Sequence, residues 1–487
     1  MSSSDPGRGG DPTSRSRRRW ARVSALVVLL LLGVPAIRAS TGQRAPDEEP
    51  PNFVVFIADD QRWDSLWAMP EVQRRIADPG ITFTDAYVVN PACCPSRTSL
   101  LTGRYSHSTG VWRNHGQHGG FAAFDDSSTI ATWLDDAGYE TALYGKYLNG
   151  YLHNTYVPPG WDQWMAFTGQ AGRRTGNYYD YDLNVNGAIV HHPDQPGDYG
   201  TDVLAEEAVR FVRTATDPFF LVFSPPAPHY PALPAPRHVD AVADLAPWRP
   251  PAFNEQDVTD KPAWLSAEGP LDAEGVANLD ELRLRQYQSL LALDEAVGRI
   301  VRSLRQTDQL DETVLLYVSD NGYLLGEHRL VGKAAPYEES IRVPFLLRYD
   351  ALTGVAPASS EAVLNIDVAP TIAELASVAA PETDGMSLLP LITGSGSWSR
   401  EAFLVEHLGH RGPDRTDTGV PTYCAVHTGE HVYVAYQHGV NDLYDLRRDP
   451  DQLHNLALQG HRRLEQRLRN LLRSLCDPPP PGFDRLS

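Results

Sequence analysis

Residues 52–60 read NFVVFIADD, a continuous apolar run that ends abruptly in two carboxylates, Asp59 and Asp60. An unbroken run of this length, rich in valine, isoleucine and phenylalanine, is typical of a strand buried on both faces of a parallel sheet. The two carboxylates then lie at the carboxyl end of that strand. In a surface turn, water would solvate these carboxylates. Coordination of a metal ion at the edge of the sheet accounts better for two adjacent carboxylates. The segment therefore predicts a parallel sheet with a polar edge.

Three further apolar segments lead into polar side chains in the same way. Residues 140–144 precede Lys146, residues 218–224 precede His229, and residues 313–319 precede Asp320 and Asn321. Ligands of open α/β sheets bind outside the carboxyl ends of the strands, so we expect these four ends to converge on one site. Any one of these side chains alone is more often a turn or cap residue, and only their joint appearance at strand ends favours a site.

Helix-like patterns separate the predicted strands, at residues 129–137, 202–214 and 282–305. This alternation predicts an α/β class, with a large, mostly parallel sheet flanked by helices over residues 52–396. After residue 396 the pattern changes to short alternating strands at residues 402–406, 422–427, 431–436 and 442–446, followed by an amphipathic helix at about residues 453–475. We therefore expect a small antiparallel C-terminal α+β subdomain with a terminal helix at residues 397–487.

Composition and the N-terminus limit the class of protein. The chain of 487 residues is 42% hydrophobic and 21% charged, as in an ordinary soluble globular protein, and its formal net charge of −20 argues against a nucleic-acid partner. Residues 1–39 carry clustered arginines before an apolar run at residues 23–34, which predicts an export signal, of the twin-arginine type or an ordinary one. An uncleaved anchor is the alternative; the apolar run is short for a membrane span, so we expect none in the mature form. Residues 40–51 are predicted to be a linker, and the protein to be secreted, periplasmic or on the cell surface.

Residues 93–104 read CCPSRTSLLTGR and form the second informative segment. Pro95 suits the first turn of a helix, and Gly103 is a stop signal at its end. Cys93 is therefore expected at a helix N-terminus, where free N–H groups and the helix dipole favour an anion. The alternative is that Cys93 and Cys94 are two small buried residues before an ordinary helix.

The segment resembles the signature of the type I sulfatases, formylglycine-dependent enzymes of the alkaline-phosphatase superfamily, and the likeness runs from about residue 51 to the C-terminus. It is most similar to the N-acetylglucosamine-6-sulfatases and heparan endosulfatases, through residues 92–97, 145–149 and 228–229. The resemblance implies that a formylglycine-generating enzyme oxidises Cys93 to Cα-formylglycine, whose hydrate attacks the sulfur of a sulfate ester. It implies hydrolysis of a sulfated sugar or glycosaminoglycan, with 6-O-sulfated glucosamine favoured.

The resemblance also assigns roles to the polar side chains at the strand ends. It implies a calcium ion, with magnesium as the alternative, held by Asp59, Asp60, Asp320, Asn321 and the formylglycine from Cys93. Oxygen donors of this kind suit these hard cations better than zinc. The resemblance further implies that Arg97, Lys146, His229 and Lys333 surround the sulfate, with His229 protonating the departing alcohol.

One position departs from the wider family pattern. Many sulfatases carry a histidine two residues after the lysine that matches Lys146, and this chain has Leu148 there. The base that resets the nucleophile is therefore open. His328 is the first candidate, and His107 and Asn149 are weaker ones.

The sequence leaves two alternative functions open, and it also leaves open whether two cysteines pair. A phosphate or phosphonate ester hydrolase of the same fold would use the same aldehyde, and an unmodified protein that binds sulfated glycans would keep the cationic pocket without turnover. The remaining cysteines, Cys424 and Cys476, form one disulfide or remain two buried thiols.

Overall fold

The computed structural model describes residues 50–168, 176–215, 218–352, 356–409 and 419–485. The chain divides into two compact units, Met1–Glu48 and Glu49–Ser487, and the second contains the described residues. The predicted export signal at residues 1–39 and most of the predicted linker at residues 40–51 lie outside them. No helix of the described ranges is long and apolar enough to cross a membrane.

The second unit contains eighteen strands among its described residues. The first nine, in chain order, are β1 Asn52–Ala58, β2 Ile81–Phe83, β3 Ala86–Tyr87, β4 Glu140–Gly145, β5 Gln163–Phe167, β6 Tyr181–Val185, β7 Ala188–His192, β8 Phe219–Ser224 and β9 Thr313–Ser319. The remaining nine are β10 Leu324–Leu325, β11 Val331–Gly332, β12 Phe345–Arg348, β13 Ala358–Ser359, β14 Val363–Leu364, β15 Phe403–His407, β16 Tyr423–His427, β17 His431–Tyr436 and β18 Asp442–Asp445.

The helices surround these strands. They are α1 Pro70–Val72, α2 Cys93–Thr102, α3 Ser106–Thr109, α4 Ile130–Asp135, α5 Gly200–Thr214, α6 Ala263–Ser266, α7 Ala273–Gln306, α8 Glu338–Ile341, α9 Val368–Leu375, α10 Leu389–Thr393 and α11 Arg462–Leu475. Helix α7 begins nine residues before the predicted start at residue 282, because the Asp272 carboxylate caps it by accepting from the Gly275 N–H at 2.8 Å.

The main sheet has ten strands in the order β13-β2-β12-β9-β1-β8-β4-β5-β6-β7. The five central strands from β9 to β5 are all parallel, which confirms the α/β prediction. The edges are mixed, because β12 runs antiparallel to both of its neighbours and β6 and β7 add an antiparallel extension beside β5. The four predicted strands all lie in the parallel centre, as β4, β8, β1 and β9.

Strand β1 shows why the sheet needs a continuous apolar sequence. Its side chains alternate between two hydrophobic clusters, with Phe53, Val55 and Ile57 on one face and Val54, Phe56 and Ala58 on the other. Helices α2, α4 and α9 cover the first face, and α5 and α7 cover the second. Burying each large apolar side chain contributes about 1.5–3 kcal/mol, so neither face tolerates a polar residue.

The C-terminal strands form a separate four-stranded antiparallel sheet in the order β15-β16-β17-β18. One face packs against β3 and the loop around Tyr337, and α11 packs on the other. Cys424 of β16 and Cys476 after α11 form a disulfide, which decides between the two open alternatives. The predicted domain boundary between residues 396 and 397 stays a prediction.

Candidate active site

The carboxyl ends of β4, β8, β1 and β9 lie side by side, since these four strands are consecutive and parallel in the main sheet. Asp59 and Asp60 follow β1, and Asp320 and Asn321 follow β9. Backbone bonds join the neighbouring ends: the Asp320 N–H donates to the Ala58 carbonyl, and the Asp59 N–H donates to the Ala227 carbonyl. The predicted strand ends therefore meet at one edge.

Cys93 is the first residue of α2, and it lies over this edge. The helix ends at Gly103, whose φ of 70° is the left-handed conformation that glycine adopts without strain. The Cys93 Sγ is buried, 3.7 Å from Asp59 Oδ1 and 2.8 Å from the Lys333 Nζ that donates to it. Burial disfavours the charged thiolate and raises the pKa of the thiol, whereas the positive charges of Lys146 and Lys333 lower it. The effect of burial is the larger, and the pKa of the thiol is about 11.

Arg97 lies one helical turn after Cys93 on the same side of α2 and is buried. Its Nε donates to Asp320 Oδ2 at 2.7 Å, and its Nη1 donates to Ser224 Oγ at 2.7 Å and to the Lys146 carbonyl at 2.8 Å. The buried Nη2 makes no hydrogen bond among the described residues and lies 3.9 Å from Asp59 Oδ2. The guanidinium therefore fixes three strand ends relative to α2.

Lys146 reaches the site because Gly145 lets two strands come very close. Gly145 has a φ of 127°, and a Cβ added there would lie 1.9 Å from the Ser224 carbonyl oxygen. The Lys146 N–H donates to that same oxygen at 2.7 Å, and its Nζ donates to Asp59 Oδ2 at 2.6 Å. Burial opposes the charge on Lys146, but Asp59 outweighs it, so the pKa of Lys146 lies above its ordinary value.

Lys333 follows the short strand β11, and the structure brings it to the same place. Its buried Nζ contacts Asp60 Oδ1 and donates to Cys93 Sγ. Burial opposes its charge, yet Asp60 and Cys93 hold the pKa of Lys333 well above its ordinary value. Lys333 therefore joins Cys93, the predicted nucleophile, to the acidic cluster.

His229 is the most exposed of the four predicted sulfate-binding residues, at 35% of its side chain. Its Nδ1 lies 2.7 Å from the Tyr230 carbonyl, which assigns the proton to Nδ1 in the neutral ring. The Nε2 then faces Asp60, with 3.7 Å to Oδ2. His229 is therefore placed on the solvent side of the acidic cluster.

The acidic cluster has the composition of a cation site. Donor atoms of Asp59, Asp60, Cys93 and His229 lie within 4.8 Å of one another. The Asn321 Nδ2 donates to Asp60 Oδ1 at 2.7 Å, while its buried Oδ1 has no hydrogen-bond partner in the described part of the chain. Burial opposes ionisation of Asp59, but Lys146, His229 and Arg97 outweigh it and hold its pKa at about 2. Ionised carboxylates and an unsatisfied amide oxygen fit a hard divalent metal ion.

The three candidate bases lie in different surroundings. His328 is fully buried, with Nδ1 2.7 Å from Glu255 Oε2, and its Nε2 has no hydrogen-bond partner among the described residues. His107 Nδ1 lies 3.0 Å from Glu406 Oε2, at the C-terminal sheet. Asn149 donates its N–H to Cys94 Sγ at 3.0 Å, which places it beside the nucleophile helix. The identity of the base stays a prediction.

Ser224 is a residue of the site that the sequence did not single out. It ends β8, and its hydroxyl and carbonyl oxygens bind Arg97 and Lys146. The only available signal was its position as the last residue of a buried strand. The neighbouring Cys94 also makes a hydrogen bond, in which its sulfur accepts the Asn149 N–H.

Known protein families match both the main part of the chain and its C-terminal part. The family model "Sulfatase" matches residues 51–378, and the model "N-sulphoglucosamine sulphohydrolase, C-terminal" matches residues 326–477. The chain belongs to the sulfatase family. The resemblance inferred from residues 93–104 is thereby confirmed.

Several curated sulfatases are similar to the chain. The human N-acetylglucosamine-6-sulfatase is 32% identical over 486 residues, which cover 89% of this chain and 85% of that protein. The N-acetylglucosamine-6-O-sulfatase of Bacteroides thetaiotaomicron is 28% identical, covering 88% and 86%. The Drosophila melanogaster extracellular sulfatase Sulf-1 homolog is 34% identical over 77% of this chain but only 35% of its own length. The chain thus spans about a third of that longer sulfatase.

Solved structures of other sulfatase-like proteins share the fold. A structure in complex with its substrate D-glucosamine-2-N,6-O-disulfate superposes with a TM-score of 0.74 at 24% identity, covering 90% of this chain and all (100%) of that chain. The phosphonate monoester hydrolase of Agrobacterium radiobacter gives a TM-score of 0.70 at 21% identity, covering 87% and 95%. At these identities the likeness shows the architecture alone, and that architecture serves two classes of ester.

Proposed function

We propose that this sulfatase-family chain hydrolyses sulfate esters of a sulfated sugar, with 6-O-sulfated glucosamine as the favoured unit. The observation that carries the proposal is the position of Cys93 Sγ, at a helix N-terminus with Lys333 Nζ at 2.8 Å and with Arg97 and Lys146 beside it. The names of the human and Bacteroides relatives support the glucosamine-6-sulfate preference.

The cationic side chains suit the charge of the reacting group. A sulfate ester carries one negative charge, and its transition state spreads charge over the sulfuryl oxygens and the departing oxygen. The buried Lys333 ammonium donates to Cys93 and contacts Asp60, and the partly buried Lys146 ammonium donates to Asp59. Donors fixed in a buried site stabilise developing charge without having to reorganise. They therefore bind and orient the sulfate.

Two groups complete the proposed chemistry. Cys93, once oxidised to formylglycine by a formylglycine-generating enzyme, supplies a hydrated aldehyde whose oxygen is the nucleophile. Asp59, Asp60, Asp320 and Asn321 would hold a divalent cation, for which we propose calcium, and that cation supplies positive charge beside the sulfuryl oxygens. The buried Asn321 Oδ1 and the ionised Asp59 support this ligand set.

His229 is the proposed acid for the leaving alcohol. Its neutral ring carries the proton on Nδ1, bonded to the Tyr230 carbonyl, so the Nε2 is the atom that faces the acidic cluster. A proton taken up at Nε2 can pass to the departing oxygen, which leaves on the more exposed side of the site. Arg97 acts differently, because it is fully buried and positions the helix that carries Cys93.

We further propose that the chain is exported before it acts, through the signal predicted at residues 1–39. The Drosophila relative is an extracellular sulfatase by name, which supports this location. The disulfide between Cys424 and Cys476 also suits an oxidising compartment.

Two measurements on protein from its native host test the proposal. Sulfate released from N-acetylglucosamine-6-sulfate is measured by ion chromatography, and the tryptic peptide of residues 76–97 is weighed by mass spectrometry. We expect sulfate release, an aldehyde in place of the Cys93 thiol, and no release by Cys93→Ala. Cys94→Ser is the matched control, because a serine oxygen can still accept the Asn149 N–H. Unmodified Cys93 in native protein would refute the enzymatic proposal and favour a protein that only binds sulfated glycans.

The shared architecture with a phosphonate monoester hydrolase makes that class the second candidate. To distinguish the two candidates, the rates of hydrolysis of an aryl sulfate and of an aryl phosphonate monoester are compared at equal substrate concentration. A sulfate ester carries one negative charge, as does a phosphonate monoester, so charge alone does not discriminate between them. A higher kcat/KM for the phosphonate would replace the sulfatase proposal.

A further inference from the structure

Helix α11 carries exposed positive charge, although the formal net charge of the protein is −20. Its sequence contains five arginines and one glutamate. Arg462, Arg463, Arg467 and Arg473 are exposed, and in the described part of the chain none of their side chains makes a hydrogen bond or ion pair. The fifth, Arg469, is paired with the glutamate, Glu465, at 3.2 Å. We call the four exposed arginines the α11 arginine face.

The arginine face lies on the outside of the C-terminal sheet. Leu468 and Leu472 of α11 pack on one face of that sheet, against residues such as Val426. The other face of the sheet, which includes Val405 and Tyr423, packs against the main part of the chain. The disulfide fixes the end of the helix to β16. The arginines therefore point to solvent on the side of the sheet opposite the main domain.

Helix stability does not explain Arg462, Arg463 and Arg467, whereas Arg473 lies in the last turn, where positive charge suits the helix dipole. Arg462 and Arg463 occupy the first turn, where positive charge opposes the helix dipole. Arg463 and Arg467 are four residues apart, so their like charges face each other and destabilise the helix. Glu465 is the acidic side chain of that first turn, but the two arginines outnumber it there. The unfavourable placement points to a role in binding.

We propose that the α11 arginine face binds the sulfated polysaccharide chain that carries the substrate, at a surface separate from the catalytic site. The proposal rests on the proposed function, because a sulfated sugar within a longer chain brings repeated sulfates. Arg462 and Arg473 are about 16 Å apart along the helix, at a rise of about 1.5 Å per residue. Charges spread over that length match a polymer better than a single sulfate, and the arginine fork binds oxyanions with two parallel hydrogen bonds.

A membrane surface fits the helix less well. An amphipathic helix binds lipid by burying its apolar face, and the apolar face of α11 is already packed on the C-terminal sheet through Leu468 and Leu472. Nucleic acid is also a polyanion, and the sulfated polysaccharide is favoured over it because the proposed catalytic site acts on a sulfated sugar. Both remain useful comparison ligands in the test.

The test compares a fourfold arginine-to-glutamine variant of the face with a charge-matched control. The test variant changes Arg462, Arg463, Arg467 and Arg473. The control changes Arg210, Arg299, Arg302 and Arg305, so that net charge falls by the same amount; three of these are ion-paired on α5 and α7. Affinity for heparin is measured for the full-length protein as a function of salt. We expect the test variant to bind about tenfold more weakly or worse, from several exposed charge contacts, and the control to match the wild type.

Two binding results would overturn the proposal. One is a test variant that keeps wild-type affinity for heparin, and the other is a control that loses as much as the test variant. Binding of the wild-type protein to phosphatidylserine vesicles, and separately to double-stranded DNA, is measured at the same ionic strength. Tighter wild-type binding to either of them than to heparin would also overturn the assignment of a polysaccharide.

Turnover separates this proposal from the proposed function. The fourfold test variant is expected to release sulfate from a monosulfated monosaccharide at the wild-type rate, while its KM for a sulfated polysaccharide rises. An equal KM for the polymer in both proteins would refute the role of the arginine face. Wild-type protein that releases no sulfate from either substrate would refute the proposed function, and the heparin measurement would still decide the binding surface.

Discussion

The Lys333 ammonium lies 2.8 Å from the Cys93 sulfur, although 240 residues separate the two along the chain. The same ammonium contacts Asp60, one of the carboxylates of the acidic cluster. One buried charge thus fixes Cys93, the proposed nucleophile precursor, relative to the proposed metal ligands.

Replacing Lys333 by glutamine should lower kcat for sulfate release by about a hundredfold or more, the effect of losing one fixed charge-stabilising donor. Sulfate release at saturating substrate measures it, with circular dichroism to confirm folding. Val331→Thr is the matched control, because Val331 is an exposed residue of the neighbouring strand β11. If the Lys333→Gln variant releases sulfate as fast as the Val331→Thr control, Lys333 has no role in catalysis.

Calcium should raise the melting temperature of chelator-treated protein and restore its activity, since a ligand that binds only the folded state stabilises it by mass action. At a concentration about one hundred times its Kd, the stabilisation is about 2.7 kcal/mol. Thermal unfolding with calcium, magnesium or zinc added back checks both the site and its selectivity. Asn321→Leu should abolish the calcium shift, because it removes the buried oxygen that lacks a hydrogen-bond partner in the described chain. An undiminished shift in Asn321→Leu would show that the cation binds elsewhere.

Gly145→Ala should destabilise the fold and reduce activity together, because the new Cβ would meet the Ser224 carbonyl oxygen and displace Lys146. Gly138→Ala is the matched control: Gly138 also has a positive φ, of 88°, but nothing lies within 4 Å of its added Cβ. The control should cost about 1–2 kcal/mol from the backbone alone. Urea unfolding should show a larger loss for Gly145→Ala. Equal losses in the two variants would mean that the close approach to Ser224 is unimportant.

Removing the disulfide by Cys424→Ala with Cys476→Ala should lower the free energy of unfolding by about 2–4 kcal/mol. The physical reason is the loss of a cross-link between residues that lie 52 apart in the chain, which frees the unfolded state. Chemical denaturation with and without reductant measures the effect. Wild-type protein should lose stability in reductant, and the double variant should be indifferent to it. A reductant effect on the double variant would point to another cause.

Asp442 should make the protein less stable as the pH rises from about 4 to about 8. Burial raises its pKa from 3.8 to about 7, against the opposing hydrogen bond from Tyr436. The folded state therefore keeps a proton that the unfolded state releases above pH 4, and this contribution to stability is lost as the pH passes 7. The contribution is at most about 4 kcal/mol.

The Asp442→Asn variant checks this pH dependence. Its amide oxygen can still accept the Asn455 Nδ2–H, so the local packing is kept. Urea unfolding at several pH values between 4 and 8 should show a flatter dependence than in the wild type. An unchanged slope would assign the pH dependence to other groups.

Most elements that position the site were predicted correctly because their signals are local. The apolar runs at β1, β4, β8 and β9 mark strands buried on both faces, and helix α2 has Pro95 near its start and Gly103 at its end. The antiparallel extension β6–β7 was not predicted, because strand β7 is largely exposed and only its first three residues are apolar. Strand β12 is only four residues long, so its signal was too short to detect.

The sequence by itself determined which chemical groups this protein has and which end of each strand carries them. It did so because buried apolar runs, prolines and glycines act within a few residues. The tertiary structure alone decided the distances that make a site: the order of the parallel strands, the reach of Lys333 to Cys93, and the role of Ser224 between Arg97 and Lys146. The contact between Lys333 and Cys93 alone joins residues 240 apart, and no local pattern specifies how separate strands lie beside one another.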